Sequence, residues 1–141
     1  MEREEIKTIL PHREPMLLVD EVNLNEDGSA TGYYTVRGDE FFLQGHFPGN
    51  PVFPGVLQLE AMAQMSASVL MPLEQYKDKL FFYAGIDGAR FRKQVRPGDR
   101  FDMEAELIKL KGPIAKAKAR GFVDGQLAVE AELMFSIVGN K

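Results

Sequence analysis

Two polar residues near the middle of the chain stand in apolar surroundings. Glu60 interrupts the run of apolar residues that follows Pro54, and His46 lies between Gly45 and Phe47 in a loop rich in glycine and proline. An unpaired carboxylate in an apolar helix is costly to bury or stays protonated, whereas histidine exchanges protons near neutral pH. Taken singly, the histidine could be hydrogen-bonded to backbone and the carboxylate ion-paired, and both would then be structural. Together they form a natural proton-transfer pair.

The step Pro54-Gly55 offers a second chemical possibility. Proline is favoured at a helix start, and glycine adds no side-chain bulk there. The N–H groups of Gly55 and Val56 would then point outward at the positive end of the helix dipole, where they could hold an oxyanion. The same step could equally be a good helix start with no further role. Gln64 follows Glu60 by about one helical turn, and from there it could orient the carboxyl group.

These residues must be positioned by a long helix and by strands before and after it. Apolar residues surround nearly the whole axis over 55–70, which predicts a buried helix from Gly55 to Leu70. Before it, a short helix is predicted over Glu2–Leu10, and strands over Met16–Val22 and Ala30–Val36. After it, alternation with period two predicts antiparallel strands over Phe101–Leu107, Ala115–Val123 and Leu127–Ile137. The outer faces of these three are acidic, basic and acidic, so neighbouring strands would place opposite charges side by side.

Composition limits the class of protein. The chain has 141 residues, 45% of them hydrophobic and 27% charged, so we expect one globular domain over 1–141. The expected class is α+β, with an antiparallel sheet wrapped round one long helix. The lack of cysteine excludes disulfides and thiolate zinc sites, and a net charge of −4 gives no general attraction to nucleic acid. Polar residues and prolines interrupt the apolar stretch Val52–Leu73, so no membrane span is expected. An N-terminus without an apolar signal core suits the cytoplasm.

Three stretches of the sequence resemble one known family. They read LPHREPMLLVDEV, FFLQGHFPGNPVFPGVLQLEAMAQ and YAGIDGARFRKQVRPGDRF, and they follow one another along essentially the whole chain. The family is that of the bacterial 3-hydroxyacyl-carrier-protein dehydratases of type II fatty acid synthesis, whose fold is the hot-dog. The resemblance implies dehydration of a (3R)-3-hydroxyacyl thioester of acyl carrier protein to the trans-2-enoyl thioester, with no metal or other cofactor.

The resemblance also implies a role for each motif residue. His46 would be the catalytic base and Glu60 the acid. The N–H of Gly55, with Val56 beside it, would bind the thioester oxygen, and Gln64 would support the acid. In this family the histidine and the acid of one site come from different subunits of a homodimer, and dimers often assemble into hexamers. A related branch that also isomerises the double bond carries aspartate at the acid position, so glutamate here indicates dehydration alone.

An acyl tunnel and a surface for the carrier protein are expected around this site. The candidate tunnel walls, the last two of which are also candidates for a gate, are Phe47, Val52, Phe53, Met62, Met65, Phe82 and Tyr83. Each of these could instead be plain core. A basic cluster could dock the acidic carrier, and its members are Arg90, Arg92, Lys93, Arg96 and Arg100. Strand alternation prevents all five from sharing one face, and an ordinary solvated surface is the alternative interpretation.

Two residues of the first stretch are not expected to take part in the chemistry. Glu14 stands where many members of the family have an aromatic residue, which predicts a local difference in the surface or loop. His12 matches the family motif outside its catalytic positions, so a structural role is expected for it.

Two other functions are compatible with this pattern. A thioesterase on the same fold would also hold a carboxylate on the helix, but it would not need the His46 loop. A non-catalytic module that binds acyl thioesters could keep the tunnel and lose the proton-transfer pair. The presence of both His46 and Glu60 favours the dehydratase.

Overall fold

A computed structural model describes residues 1–139, which form six strands, two α-helices and two single-turn 3-10 helices. The α-helices are α1 (Arg3–Ile6) and α2 (Gly55–Leu70), and the 3-10 turns cover Phe41–Leu43 and Glu74–Tyr76. The strands are β1 (Glu21–Leu24), β2 (Ala30–Thr35), β3 (Leu80–Phe91), β4 (Arg100–Lys111), β5 (Ile114–Val123) and β6 (Gln126–Val138). Neighbouring strands are antiparallel, in the order β1-β2-β4-β5-β6-β3. Helix α2 packs against β1, β2, β4, β5 and β6, which confirms the predicted α+β architecture.

The long helix has the predicted bounds, and hydrogen bonds on its N-terminal side hold it in place. The backbone N–H of Phe53 donates to the carbonyl oxygen of Val95 at 2.7 Å. The side-chain amide of Gln58 donates to the carbonyl oxygen of Phe53 at 2.9 Å. No side chain caps the helix at Pro54, which precedes its first residue. The start of α2 is therefore anchored to the loop after β3 while its first N–H groups stay open.

The predicted meander of three charged strands is confirmed. In the register of β4, β5 and β6, Glu104 lies opposite Arg120, and Glu106 lies opposite Lys118, which in turn lies opposite Glu132. The Arg120 guanidinium approaches the Glu104 carboxylate to 3.4 Å. Opposite charges on one face favour this register over a one-residue shift, which would send every apolar side chain to the solvent side.

The N-terminal segment differs from the prediction. The helix expected over Glu2–Leu10 keeps helical geometry only as far as Ile6, and turns with hydrogen bonds between residues three or four apart follow it. The strand expected over Met16–Val22 is wrong in its first part, because β1 begins only at Glu21. Residues 16–18 bond to the side chain of Gln64 on α2 instead of to a neighbouring strand. The side chains of Leu17 and Leu18 are buried in the core, so the hydropathy of this segment resembles that of a strand.

Strand β3 lies at one edge of the sheet and carries exposed apolar side chains. It has 12 residues and pairs with β6. Phe82, Ile86 and Phe91 are 54%, 43% and 52% exposed, respectively. A long apolar edge strand presents unpaired backbone groups to any further strand, and proteins rarely leave such an edge uncovered. Within residues 1–139, none of the helices combines the length and apolar character needed to cross a membrane.

Candidate active site

The loop that carries His46 fixes the orientation of its ring. The ring nitrogen Nδ1 lies 3.1 Å from the carbonyl oxygen of Val52, whose own N–H donates to the carbonyl oxygen of His46 at 2.8 Å. The imidazole also stacks on Phe47, with ring centroids 4.2 Å apart. A carbonyl oxygen can only accept, so the neutral ring carries its proton on Nδ1. Nε2 is then the nitrogen with a free lone pair, as a general base requires.

Arg96 braces the same loop. Its guanidinium donates to the side-chain oxygen of Asn50 at 2.7 Å, and the Asn50 N–H donates to the carbonyl oxygen of Phe47 at 2.9 Å. A second nitrogen of the guanidinium bonds to Gln94. Arg96 was predicted as a docking residue, and its observed contacts tie the histidine loop to the segment after β3.

The first N–H groups of α2 face outward beside this loop. The N–H groups of Gly55 and Val56 have no acceptor among residues 1–139. The hydrogen bonds of the helix begin with the N–H groups of Leu57 and Gln58, which donate to the carbonyl oxygen of Pro54. A Cβ atom at Gly55 would stand 2.6 Å from the ring of Phe91, so only glycine fits without displacing that ring. Because these N–H groups are open and residue 55 has no side chain, a carbonyl oxygen of a ligand can reach the start of the helix.

His46 and the helix start line one cavity of about 500 Å³. Its wall is formed by the histidine loop, the first turn of α2 and the end of β3, and it contains Val52, Phe53, Gly55, Val56, Gln58, Phe91, Arg92 and Lys93. This cavity therefore combines a base, two free N–H donors and two positive charges.

Glu60 lies on another side of α2, between two nitrogen-bearing side chains. Its carboxylate oxygen Oε2 is 2.9 Å from Nε2 of Gln64 and 3.3 Å from Nε2 of His12. The Gln64 amide cannot flip, because its oxygen accepts from the N–H of Leu18 at 2.8 Å while its nitrogen donates to the carbonyl oxygen of Met16 at 2.7 Å. Gln64 is thus a fixed hydrogen-bond donor to Glu60. The contact with His12 was not anticipated from the sequence.

Tyr83 approaches the same part of α2 from the edge strand. Its hydroxyl donates to the carbonyl oxygen of Leu59 at 3.0 Å, and its ring packs on Phe135. Burial raises the pKa of Tyr83, and the negative charge of Glu60 raises it further. Both effects favour the protonated hydroxyl, which is the form that donates to the carbonyl oxygen of Leu59. Phe82, the other candidate gate, points away from this contact and is exposed.

Within one protomer, Glu60 lies apart from the cavity that His46 lines. Glu60 lies about 7.5 Å farther along α2 than Gly55 and roughly 140° round its axis, by regular helix geometry. Among the described residues, those lining the His46 cavity do not include Glu60.

The other predicted tunnel walls fall in different environments. Val52 and Phe53 line the His46 cavity, whereas Met62 and Met65 are fully buried in the core. Phe47 is exposed and lies against His46. The tunnel itself stays a prediction.

The basic cluster is divided. Arg92 and Lys93 line the His46 cavity, and Arg92 also lies 3.4 Å from Glu130. Arg90 is exposed on β3 and donates to its neighbouring backbone carbonyl. Arg100 bonds to Asp102 at 2.7 Å and lies over a tyrosine ring on β2. No group of three or more histidine or carboxylate side chains that could hold a metal ion occurs within 1–139.

Comparisons with known proteins identify a family by sequence and a fold by structure. A family model described as a FabA-like domain matches residues 10–132. A protein of Caldicellulosiruptor saccharolyticus named 3-hydroxyacyl-[acyl-carrier-protein] dehydratase FabZ is 54% identical over 133 residues, covering 94% of this chain and 95% of the relative. The dehydratase heterocomplex ApeI:P from Xenorhabdus doucetiae superposes with a TM-score of 0.80 at 20% identity, covering 95% of this chain and 91% of the other. A thioesterase of Pseudomonas aeruginosa superposes with a TM-score of 0.72 at 16% identity, covering 96% and 92%. At these identities the two structural likenesses show the fold alone.

Proposed function

This chain belongs to the FabA-like family, and from that membership we infer that it is a 3-hydroxyacyl-[acyl-carrier-protein] dehydratase, a hydro-lyase of fatty acid biosynthesis. Its fold is the hot-dog expected from the sequence. The main structural support for this function is the cavity lined by His46. There a ring nitrogen with a free lone pair and two backbone N–H groups without an acceptor in residues 1–139 surround a space open to a ligand.

The reaction follows from these groups once a 3-hydroxyacyl thioester is bound. Nε2 of His46 removes the α-proton, and the N–H of Gly55 stabilises the enolate oxygen that develops on the thioester carbonyl. Glu60 gives its proton to the β-hydroxyl, the carbon–oxygen bond breaks, and water leaves. The product is the trans-2-enoyl thioester, and the enzyme resets when the proton on His46 returns to Glu60.

The test of this proposal is an assay with a (3R)-3-hydroxyacyl thioester. We expect the conjugated enoyl thioester to form, which its ultraviolet absorbance reports. His46→Ala and Glu60→Gln should each lower turnover on the order of 100-fold or more while the variants stay folded. Release of free thiol would identify a thioesterase, and binding without turnover would identify a non-catalytic module. Near-normal turnover by either folded variant would remove that residue from the mechanism.

We further propose that each active site is shared between two subunits of a homodimer. His46 lies with Phe91, at the C-terminal end of β3, whereas Glu60 lies with Tyr83, in the N-terminal part of that strand. These two parts of β3 are roughly 20 Å apart, because Tyr83 and Phe91 pair with residues six positions apart on β6. If the edges of two β3 strands pair antiparallel about a two-fold axis, the C-terminal end of one lies beside the N-terminal part of the other. The cavity of one protomer then approaches the partner's Glu60.

The exposed apolar edge supports this pairing. Pairing β3 with a second copy would satisfy its free backbone groups and cover Phe82 and Ile86. His46 and Glu60 both lie beside this edge, so the pairing would also shield the site from water. We propose that three such dimers assemble into a hexamer. We also propose that the protein works in the cytoplasm, together with its carrier protein.

Mixing two inactive variants tests the shared site. Unfolded His46→Ala and Glu60→Gln chains, refolded together, should regain roughly a quarter of the wild-type sites, because half of the dimers are mixed and each has one intact site. The control is each variant refolded alone, which should stay inactive. Mixed dimers without activity would show that both groups of a site come from one chain. A separate measurement, light scattering on the wild-type protein, reports whether dimers assemble further.

The proposed docking surface for the acidic carrier consists of Arg92 and Lys93. Both are exposed and both line the cavity that holds His46, so a carrier bound there could deliver its thioester arm directly. Complementary charge at such a surface speeds association more than it strengthens the final complex. Arg96 contributes through the loop that it braces, and Arg90 extends the positive surface along β3.

A further inference from the structure

We infer that His12 is a positioning residue for Glu60, and that it directs the proton-bearing oxygen of this carboxyl group toward the substrate. The inference rests on the proposed role of Glu60 as the acid and adds to it a residue that the sequence motif did not mark as functional. It starts from the 3.3 Å separation between Nε2 of His12 and Oε2 of Glu60.

The loop that carries His12 is held by its two neighbours. The guanidinium of Arg13 donates to the carbonyl oxygens of Leu10 and His12 at 2.9 and 2.7 Å, and to that of Lys7 at 3.1 Å. The Glu14 carboxylate lies 3.1 Å from the Lys7 ammonium and also contacts a guanidinium on α1. Its own backbone N–H and the Lys7 ammonium lower the pKa of Glu14 to about 2, so this clamp stays charged over the working pH range. The imidazole is therefore presented from an anchored loop.

The protonation of the ring follows from its surroundings. Nδ1 of His12 is buried and has no hydrogen-bond partner among residues 1–139. A proton placed on Nδ1 would be an unsatisfied buried donor, which is costly. The neutral ring therefore carries its proton on Nε2, the nitrogen that faces Glu60. His12 is in position to donate to the carboxyl group and not to accept from it.

Both donors converge on one oxygen of Glu60. Nε2 of Gln64 and Nε2 of His12 face Oε2, and Oε1 has no hydrogen-bond partner in the part of the chain that the structure describes. When Glu60 holds the proton that it gives to the substrate, the oxygen that faces two donors is the carbonyl-like one. The acidic proton is then on Oε1, from which it can move to the substrate hydroxyl. Without His12, the carboxyl group would exchange its two oxygens more readily and lose this orientation.

Two substitutions at the same position separate positioning from packing. His12→Phe keeps a ring of similar shape and removes the donor, whereas His12→Gln keeps a neutral N–H donor that can reach where Nε2 stands. We expect His12→Phe to lower kcat about tenfold with little change in KM, which corresponds to the loss of one hydrogen bond to a neutral carboxyl group. His12→Gln should retain most of the wild-type kcat. A packing role predicts the reverse, with Phe tolerated and Gln harmful, and that result would overturn the inference.

The last measurement asks whether His12 acts through Glu60. In a Glu60→Gln background, His12→Phe should cause no further loss of residual kcat, because the group that it positions is gone. The same tenfold loss in both backgrounds would show that His12 acts independently, and thermal melts of all four proteins would show whether unfolding accounts for any loss. If Glu60→Gln itself keeps near-normal turnover, the proposed function of Glu60 fails, whereas normal turnover by His12→Phe alone contradicts only the role of His12.

Discussion

Replacing Gly55 with alanine is expected to lower activity much more than stability. The added Cβ would lie 2.6 Å from the nearest ring carbon of Phe91. Carbon atoms in ordinary contact are about 3.5–4.0 Å apart, so the ring must retreat by roughly 1 Å. Phe91 is half exposed at the end of β3 and can make this movement toward solvent. Alanine is also a better helix residue than glycine by up to about 1 kcal/mol, so the net change in the free energy of unfolding should stay within about 1 kcal/mol.

The expected effect on turnover is larger because both groups line the cavity that contains His46. The new methyl group and the displaced ring would enter the space through which, in the proposed mechanism, a thioester oxygen reaches the N–H of residue 55. A displacement of this size near reacting atoms lowers kcat/KM by on the order of 10- to 100-fold. The assay is steady-state formation of the enoyl thioester, together with a thermal melt of each protein.

A second substitution tests whether steric crowding is the cause. Phe91→Leu shortens the side chain that Gly55→Ala would strike, so the double variant should recover several-fold over Gly55→Ala alone. Phe91→Leu by itself is the matched control for the loss of the ring. Full activity of Gly55→Ala would refute the reasoning, since the close approach to the helix start would then be unnecessary. A loss that Phe91→Leu does not relieve would mean that the ring is not responsible.

Three further perturbations have defined outcomes. Lys93→Glu should slow the reaction of the carrier-linked substrate, with a smaller effect at high salt, and should leave the reaction of a short carrier-free thioester unchanged. Lys109→Glu, at an exposed position elsewhere, is the control. Equal losses on both substrates, or an equal effect of the control, would contradict docking at Lys93. Burial alone would raise the pKa of Asp20, but hydrogen bonds from the Thr35 N–H and two guanidinium groups outweigh it and lower that pKa. The stability that the Asp20 charge adds is therefore present above its unfolded pKa of about 3.9, and it is lost as the pH falls through the lower folded pKa. The destabilisation caused by Asp20→Asn, measured by urea unfolding, should consequently shrink at acid pH. A difference that does not depend on pH would exclude this linkage. Gly121→Ala would overlap the buried ring of Phe101 and should cost about 1–3 kcal/mol, whereas Gly85→Ala meets only ordinary contacts and should change the unfolding free energy little.

Local sequence patterns determined the long helix and the last three strands of this protein. The all-round apolar character of residues 55–70 predicted α2 with its observed bounds. Alternating acidic and basic faces predicted the β4–β5–β6 meander and its pairing of opposite charges. Both patterns repeat over a few residues, so each short window already contains the physical preference that decides the structure. The motif residues His46 and Glu60 were recognisable for a similar reason, since a polar group in apolar surroundings needs a local explanation.

The tertiary structure decided what those polar groups contact. The side chain of Gln64 bonds to the backbone of Met16 and Leu18, which lie 48 and 46 positions away and precede the first strand of the sheet. His12 reaches Glu60 across a similar separation. Contacts of this kind leave no period in the sequence, because they depend on how the N-terminal loop folds over α2. The sheet order also places β3 at an edge, with the His46 cavity and Glu60 beside opposite parts of it. The order of strands arises from packing of the whole sheet round the helix, and no single strand encodes it.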